Sequence, residues 1–345
     1  MPDNRLLYVP YDCTDVYRNF ALETYFAEEK QLTGRPVFLF WRTTPTIMLG
    51  KYQNALAEMN TAYCEEHDVQ VVRRLSGGGT IYTDLGGWQF SFIQPQDKYS
   101  IEFEGFIEPV VAALNNLGIP AAFNGRNDLV VAGKKFSGNA QYKMKGFVVH
   151  HGSLLFDTDL EAIVRSTTVP DYKLIAKGIE SVRDRVTNLK DHLPAEHRGM
   201  TVEAFGDYMV SYLSGCGEDR DAVLTYTLSD AERERLEVIA AERYRSESAI
   251  WGRDPRFSLE LSEQFAGGRF TLKLDVYHGI VRDALPEGDF FGNISADEFS
   301  AVLRGVRFER EAIRAALKAA CVDEALYKIS SDDIAAMIPE TPEII

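Results

Sequence analysis

Residues 71–93 read VVRRLSGGGTIYTDLGGWQFSFI. Val71 and Val72 are β-formers, and two arginines and a leucine-serine pair lead from them into Gly77, Gly78 and Gly79. Thr80, Ile81 and Tyr82 alternate as a strand, Asp84–Gly87 reads as a turn, and Trp88–Ile93 reads as a second strand. Consecutive glycines lose more conformational freedom on folding than any other residues. They suit a backbone that must come very close to something. Without Cβ atoms they can turn N–H groups towards an anion, while Arg73 or Arg74 supplies a forked cation. The stretch therefore predicts a cradle for phosphate and carboxylate. A tight hairpin with solvated arginines is the alternative that a glycine triplet alone leaves open. No Gly-Lys-Ser/Thr follows, which excludes a Walker A loop, and no GxGxxG opens a helix, which leaves a Rossmann site unsupported.

The chain has 345 residues, long for a single core, so two domains are expected. With 37 basic and 52 acidic residues the net charge is −15, a poor basis for nucleic-acid binding, which depends on neutralising phosphates. The basic residues Arg73, Arg74, Arg126, Lys134, Lys135, Lys143 and Lys145 nevertheless gather around the candidate site and suit a small anion. No apolar run approaches the roughly 20 residues of a membrane helix. The first residues lack a basic region followed by an apolar core, so no secretory signal is expected. Cys13, Cys64, Cys216 and Cys321 are scattered without a CxxC pair, which argues against a disulfide framework or a zinc site and fits a cytoplasmic protein.

Upstream of the glycines, residues 15–30 look helical, 37–42 and 46–49 look like buried strands, and 55–67 like one helix. Downstream, apolar residues at three- and four-residue spacing predict a helix over 101–117, closed by Gly118. Helices among strands that continue on both sides predict an α+β fold with a mixed, largely antiparallel sheet flanked by helices. Residues 124–155, NGRNDLVVAGKKFSGNAQYKMKGFVVHHGSLL, hold the second informative block. A strand at 129–131 and a hairpin at Gly133 precede Lys134 and Lys135. If the strand is regular, Lys135 and Ser137 share a face. A lysine facing inward needs an anionic partner; surface lysines on a hairpin are the other reading. Residues 147–150 and 153–156 read as two further strands. His150 and His151 have no cysteine or carboxylate at ligand spacing, so a hydrogen-bonded structural role is preferred over metal binding. Residues 177–189, with Ser181, Arg183, Arg185 and Asn188, either close over a ligand or form a solvated connection. Helices are expected at 201–213 and, from the capping box Ser229–Glu232, to about Tyr244. The polar segment 245–258 marks a boundary between domains at 1–247 and 248–345. The second is read as a small α/β accessory unit, with strands over 257–290, a capping box at Ser295–Glu298, and helices at 308–320 and 331–337.

RRLSGGGTIYTD, GRNDLVV, GKKFSGNA, HHGSLL and SVRDRVTNL occur in that order at short spacing. Together they resemble the lipoate–protein ligase A family of the biotin/lipoate ligase superfamily, over roughly residues 5–250, and the C-terminal part matches that family's accessory domain in size. The resemblance implies ATP-dependent ligation of lipoate, through a lipoyl-adenylate, to a lysine of lipoyl carrier domains in 2-oxoacid dehydrogenase complexes and the glycine cleavage H protein. It implies Lys135 as the catalytic lysine. It implies adenylate and lipoate contacts from Arg74, Ser76, Gly77, Gly78, Gly79, Thr80, Ile81, Tyr82, Asn127, Asp128, Gly138, Ala140, His151, Gly152 and Arg183, with Mg²⁺ at Asp128. The chemistry agrees, because a carboxylate and a triphosphate repel one another and need cations between them. Two departures stand out. Thr83 replaces a common His, and Gly87-Trp88-Gln89 replaces a commoner Gly-Asn-x-Asn. Octanoate or another short acid therefore remains a candidate substrate. An octanoyltransferase, a non-catalytic lipoate-binding protein and a biotin ligase remain competing readings; none of the cysteines lies in the matching motifs, which counts against the first.

Overall fold

A computed structural model describes residues 6–53, 55–96, 101–167, 184–216, 222–251, 259–277 and 279–338. Its contacts divide the chain into two compact units: residues 1–48, 58–73 and 81–250, and residues 49–57, 74–80 and 251–345.

The first unit is built on a seven-stranded sheet in the order β1-β2-β6-β10-β9-β8-β7. The strands are β1 (Leu7–Tyr8), β2 (Val37–Trp41), β6 (Gly87–Pro95), β7 (Ala122–Phe123), β8 (Asp128–Val131), β9 (Lys134–Met144) and β10 (Phe147–Leu155). Among the described residues β1 and β2 run parallel and the other neighbours run antiparallel; short hairpins join β7 to β8, β8 to β9 and β9 to β10. A smaller sheet holds β4 (Gln70–Arg73), β3 (Thr46–Leu49) and β5 (Ile81–Thr83). Helix α1 (Val16–Thr24) starts where Asp15 accepts hydrogen bonds from the amides of Tyr17 and Arg18. Strand β2 is buried along its whole length, and Phe38, Phe90, Phe136 and Val148 are fully enclosed.

Three expectations are corrected. Residues 55–67 form two short helices, α2 (Ala55–Glu58) and α3 (Thr61–Glu66), because Asn60 takes extended backbone and caps the second through its side chain. In place of two strands at 147–150 and 153–156, residues 147–155 form the single strand β10, in which Gly152 keeps its place in the ladder and Phe156 lies just beyond the end. The amphipathic segment 101–117 is helical only over α4 (Glu104–Asn116).

The C-terminal segment of the second unit forms a three-stranded antiparallel sheet, β11 (Leu259–Phe265), β12 (Gly268–Tyr277) and β13 (Ile280–Gly288), packed with helices Ala296–Leu303 and Arg310–Ala319 around Phe270, Leu272, Phe290 and Phe299. Both sequence-read capping boxes, Ser229 with Glu232 and Ser295 with Glu298, are formed.

Candidate active site

Lys135 is the second residue of β9 and stands beside an irregularity. Leu129 pairs with Ser137 and Val130 with Lys135, so Phe136 is an extra residue in the ladder. That extra residue turns Lys135 away from the face of Ser137, where a regular strand would have put it. Its ammonium lies instead over Gly138, where an added Cβ would sit 3.3 Å from Nζ. It pairs with Asp128 Oδ1 at 2.7 Å. Asp128 stands opposite Gly138 in the register. The side chains of Lys135 and Asp128 are 38% and 25% exposed, so this cation is reachable by a ligand. The missing side chain of Gly138 is what lets the ammonium cross the strand.

The same face of the sheet continues through Ala140 and its register partner His151. Strand alternation carries the face from Gly138 to Ala140, and the register brings in His151. His151 Nδ1 meets the carboxylate of Glu23 on α1 at 3.1 Å, and Glu23 also accepts from Ser91 and from Tyr142. Glu23 is wholly buried. Nothing local to His151 points to this carboxylate, which lies 128 residues away in the chain. Burial, and then the nearby Glu23 charge, push the Tyr142 phenol well up. Among the described residues no group of three His, Cys, Asp or Glu side chains gathers as a metal site.

On the opposite face, His150 is fully buried and stacks on Phe106 at 4.9 Å. Its two ring nitrogens meet Gln141 and Asn139 at 3.0 and 3.3 Å. Desolvation, reinforced by His151, drives its pKa well below 6.5, so it is neutral. Gly152 belongs to this face: a Cβ there would lie 2.4 Å from Asn139 Oδ1 and from Phe90. Asn127 and Asn139 clasp each other, each side-chain amide donating to the other's backbone carbonyl.

The glycine-rich loop, residues 74–80, is in the second unit. Its compactness comes from backbone approach. A Cβ on Gly77 would stand 2.2 Å from the Phe290 carbonyl oxygen, and one on Gly50 would stand 1.9 Å from that of Gly78. Gly78 has φ +91° and its N–H donates to Phe290 at 2.8 Å. Arg74 is buried and donates to the carbonyls of Gly77 and Gly79 at 3.3 and 2.8 Å, so it braces the loop itself. Arg73 donates instead to the Ile250 carbonyl. Ser76 is enclosed, and its carbonyl accepts from the Lys51 amide. Gln53 Oε1 accepts from Thr80 Oγ1 at 2.7 Å and from the Gly50 amide at 2.9 Å. Burial lowers the Lys51 ammonium to about 8. His150 has the hydrogen-bonded structural role expected of it, whereas Lys51, Gln53 and Asn139 carry no expectation from the sequence; for the first two the only signal is a lysine and a glutamine just after Gly50.

Ile81 and Tyr82 pair with Met48 and Ile47 in the small sheet. The two sequence departures turn out to be partners: Gln89 Nε2 donates to Thr83 Oγ1 at 2.9 Å, and both residues are buried. Arg183 and Ser181 lie outside the described residues; Asn188 exchanges hydrogen bonds with the backbone of Thr158. No helix among the described residues is long and apolar enough to cross a membrane.

Residues 15–214 match the model of the lipoyl protein ligase A/B catalytic domain, and residues 254–338 match that of the bacterial lipoate protein ligase C-terminus. A lipoate-protein ligase of Bacillus subtilis is 37% identical over 321 residues, covering 93% of this chain and 96% of that protein. In fold, the chain is similar to a Plasmodium falciparum protein, LipL1, solved in complex with lipoate (TM-score 0.74, 20% identity, 91% of this chain and 94% of that one). It is also similar to a bipartite lipoate protein ligase of Thermoplasma acidophilum, described with its E2 lipoyl domain (TM-score 0.63, 24% identity, 75% and 100%). A lipoate-protein ligase A bound with ATP gives a TM-score of 0.56 at 22% identity, covering 72% of this chain and 99% of that one.

Proposed function

This chain belongs to the lipoate–protein ligase family and is a ligase; from that premise we propose that it activates lipoate with ATP and passes the acyl group to a lysine of a lipoyl carrier domain. In the first step a lipoate carboxylate oxygen attacks the α-phosphorus, the bond to the β-phosphate breaks, and pyrophosphate leaves. In the second, the neutral amine of the carrier lysine attacks the acyl carbon. An amide forms, AMP departs, and the amine loses a proton. The observation that carries this reading is the Lys135 ammonium, held by Asp128 over the bare Cα of Gly138 and still accessible. A fixed cation there offsets the repulsion between carboxylate and phosphate and stabilises charge growing on the α-phosphate.

Asn127, Asp128, Gly138, Ala140, His151 and Gly152 belong to this proposal as contacts or as shapers of the strand around Lys135. For Arg74, Ser76, Gly77, Gly78, Gly79, Thr80, Ile81 and Tyr82 we propose the adenylate contacts on sequence grounds. Mg²⁺ fits the donor set. One carboxylate, Asp128, beside a phosphate-directed cation suits an ion that takes few protein ligands and fills its shell with phosphate and water. Such an ion would neutralise phosphate charge. We place the work in the cytoplasm, in keeping with free cysteines. The acceptors we propose are the lipoyl domains of 2-oxoacid dehydrogenase complexes and the glycine cleavage H protein.

Lipoate-dependent exchange of labelled pyrophosphate into ATP tests the first step. Lys135→Ala should lower it by at least about 10²-fold, or about 3 kcal/mol, and exchange at the wild-type rate would remove the lysine from the chemistry. Mass spectrometry of a lipoyl domain incubated with ATP and a panel of acids tests the second step and the acyl preference. Acyl transfer without ATP would favour an octanoyltransferase.

A further inference from the structure

We propose that Asn139 is a positioning residue for Lys135 and Asp128, pinning the register of β8 against β9, and that His150 holds Asn139 in place. This rests on the role proposed above for Lys135.

The ladder between β8 and β9 is irregular between Leu129 and Val130, next to Lys135. Past the break, the Lys135 carbonyl accepts from the Thr187 amide at 2.9 Å, and Lys135 bridges to Val186. A strand pair that slips by one residue sends its side chains to the opposite face. Here a slip would separate Lys135 from Asp128. What fixes the register is a reciprocal clasp on the other side of the break. The Asn127 carbonyl accepts from both the backbone amide of Asn139, at 2.9 Å, and its side-chain Nδ2, at 3.0 Å. Asn127 Nδ2 donates back to the Asn139 carbonyl at 3.0 Å. Asp128 is the next residue, so the clasp sets where its carboxylate stands.

The orientation of the Asn139 amide is fixed from behind. Gln141 Nε2 donates to the Glu102 carbonyl and to His150 Nδ1. His150, with Nδ1 accepting, carries its proton on Nε2 and donates to Asn139 Oδ1. Nδ2 of Asn139 is thereby turned towards Asn127 and towards Ser137 Oγ, 3.3 Å away. Asn139, Gln141, Ser137 and His150 are all at most 2% exposed. None of these four touches the face that carries the Lys135 ammonium. This chain of hydrogen bonds connects to the reactive face through the Asn127–Asp128 backbone.

The test uses the full-length protein and measures pyrophosphate exchange, with kcat and KM separated and melting temperature recorded for each variant. Asn139→Ala should lower kcat by about ten- to a hundred-fold, the scale of a small misplacement of a catalytic group, with KM for lipoate little changed. His150→Leu should lower kcat in the same way. His150→Gln, which keeps an N–H aimed at Asn139 Oδ1, should recover most of the loss. If Asn139→Ala fails to fold, Asn139→Ser, whose shorter side chain fits the space but cannot reach the Asn127 carbonyl, decides by the same split. Wild-type kcat in the folded Asn139 variant, with Lys135→Ala inactive, overturns the inference and leaves the ligase reading standing. Equal losses in His150→Leu and His150→Gln, tracking melting temperature, also overturn it. Full exchange by Lys135→Ala would instead bring down the underlying reading, and the two failures are told apart by that variant alone.

Discussion

Glycine does different work in the loop of residues 74–80 and in strands β9 and β10. In the loop, Gly77 and Gly78 let backbone meet backbone and an aromatic ring: the Phe290 carbonyl and the Phe291 ring stand where side chains would be. In the strands, Gly138 and Gly152 make room for the far ends of side chains, the Lys135 ammonium and the Asn139 amide. A carbonyl fixed in a ladder or turn cannot retreat, whereas a lysine tip can. The loop is therefore a rigid shape, and the strand site is a set of side chains placed by register. Sequence composition makes the two look alike, because both are glycines beside cations.

Gly77→Ala should be the most damaging of the glycine substitutions. Overlap with backbone should cost several kcal/mol, the range reserved for steric conflict in a packed core, and urea titration should show a matching fall in midpoint. A small shift would mean that the loop yields. Next comes Gly152→Ala, whose Cβ would meet Asn139 Oδ1 and the Phe90 ring at 2.4 Å. It should cost about 1–3 kcal/mol and lower pyrophosphate exchange along with it. Gly138→Ala should scarcely move the melting temperature, since only the flexible lysine tip lies 3.3 Å away, yet should reduce exchange by displacing that tip. A large stability loss without an activity loss would reverse the contrast between the two regions.

Smaller effects probe the groups beneath each region. His150, held below 6.5 by burial, stays neutral in the folded chain while the unfolded chain takes up a proton as pH falls below 6.5. Stability should therefore decline as pH drops through that value, by up to about 1.4 kcal/mol per pH unit for one proton. Denaturant midpoints between pH 7.5 and 5.5 should lose part of that slope in His150→Gln. The charged groups closest to this test are few. The ring packs against Phe90, Phe92, Phe103, Phe106, Gln141 and Asn139, with His151 as the neighbouring titratable group. In the second unit, Lys51 is desolvated without an ion pair among the described residues, so Lys51→Met should leave the melting temperature unchanged or raise it slightly. A fall would show that the ammonium stabilises the loop it adjoins.

Local chemistry was legible from the residues alone. Capping boxes at Ser229 and Ser295 close within four residues, and apolar spacing marks α4; such features need only neighbours in sequence. The order of five short motifs identified the family. What the sequence could not supply depends on contacts between distant segments. The partner of His151 comes from α1, the brace on Gly77 from Phe290, and the direction of Lys135 from one extra residue in a ladder whose register is set across the sheet. A strand's facing is decided by pairing, because a single-residue offset inverts it, and no local propensity records that offset.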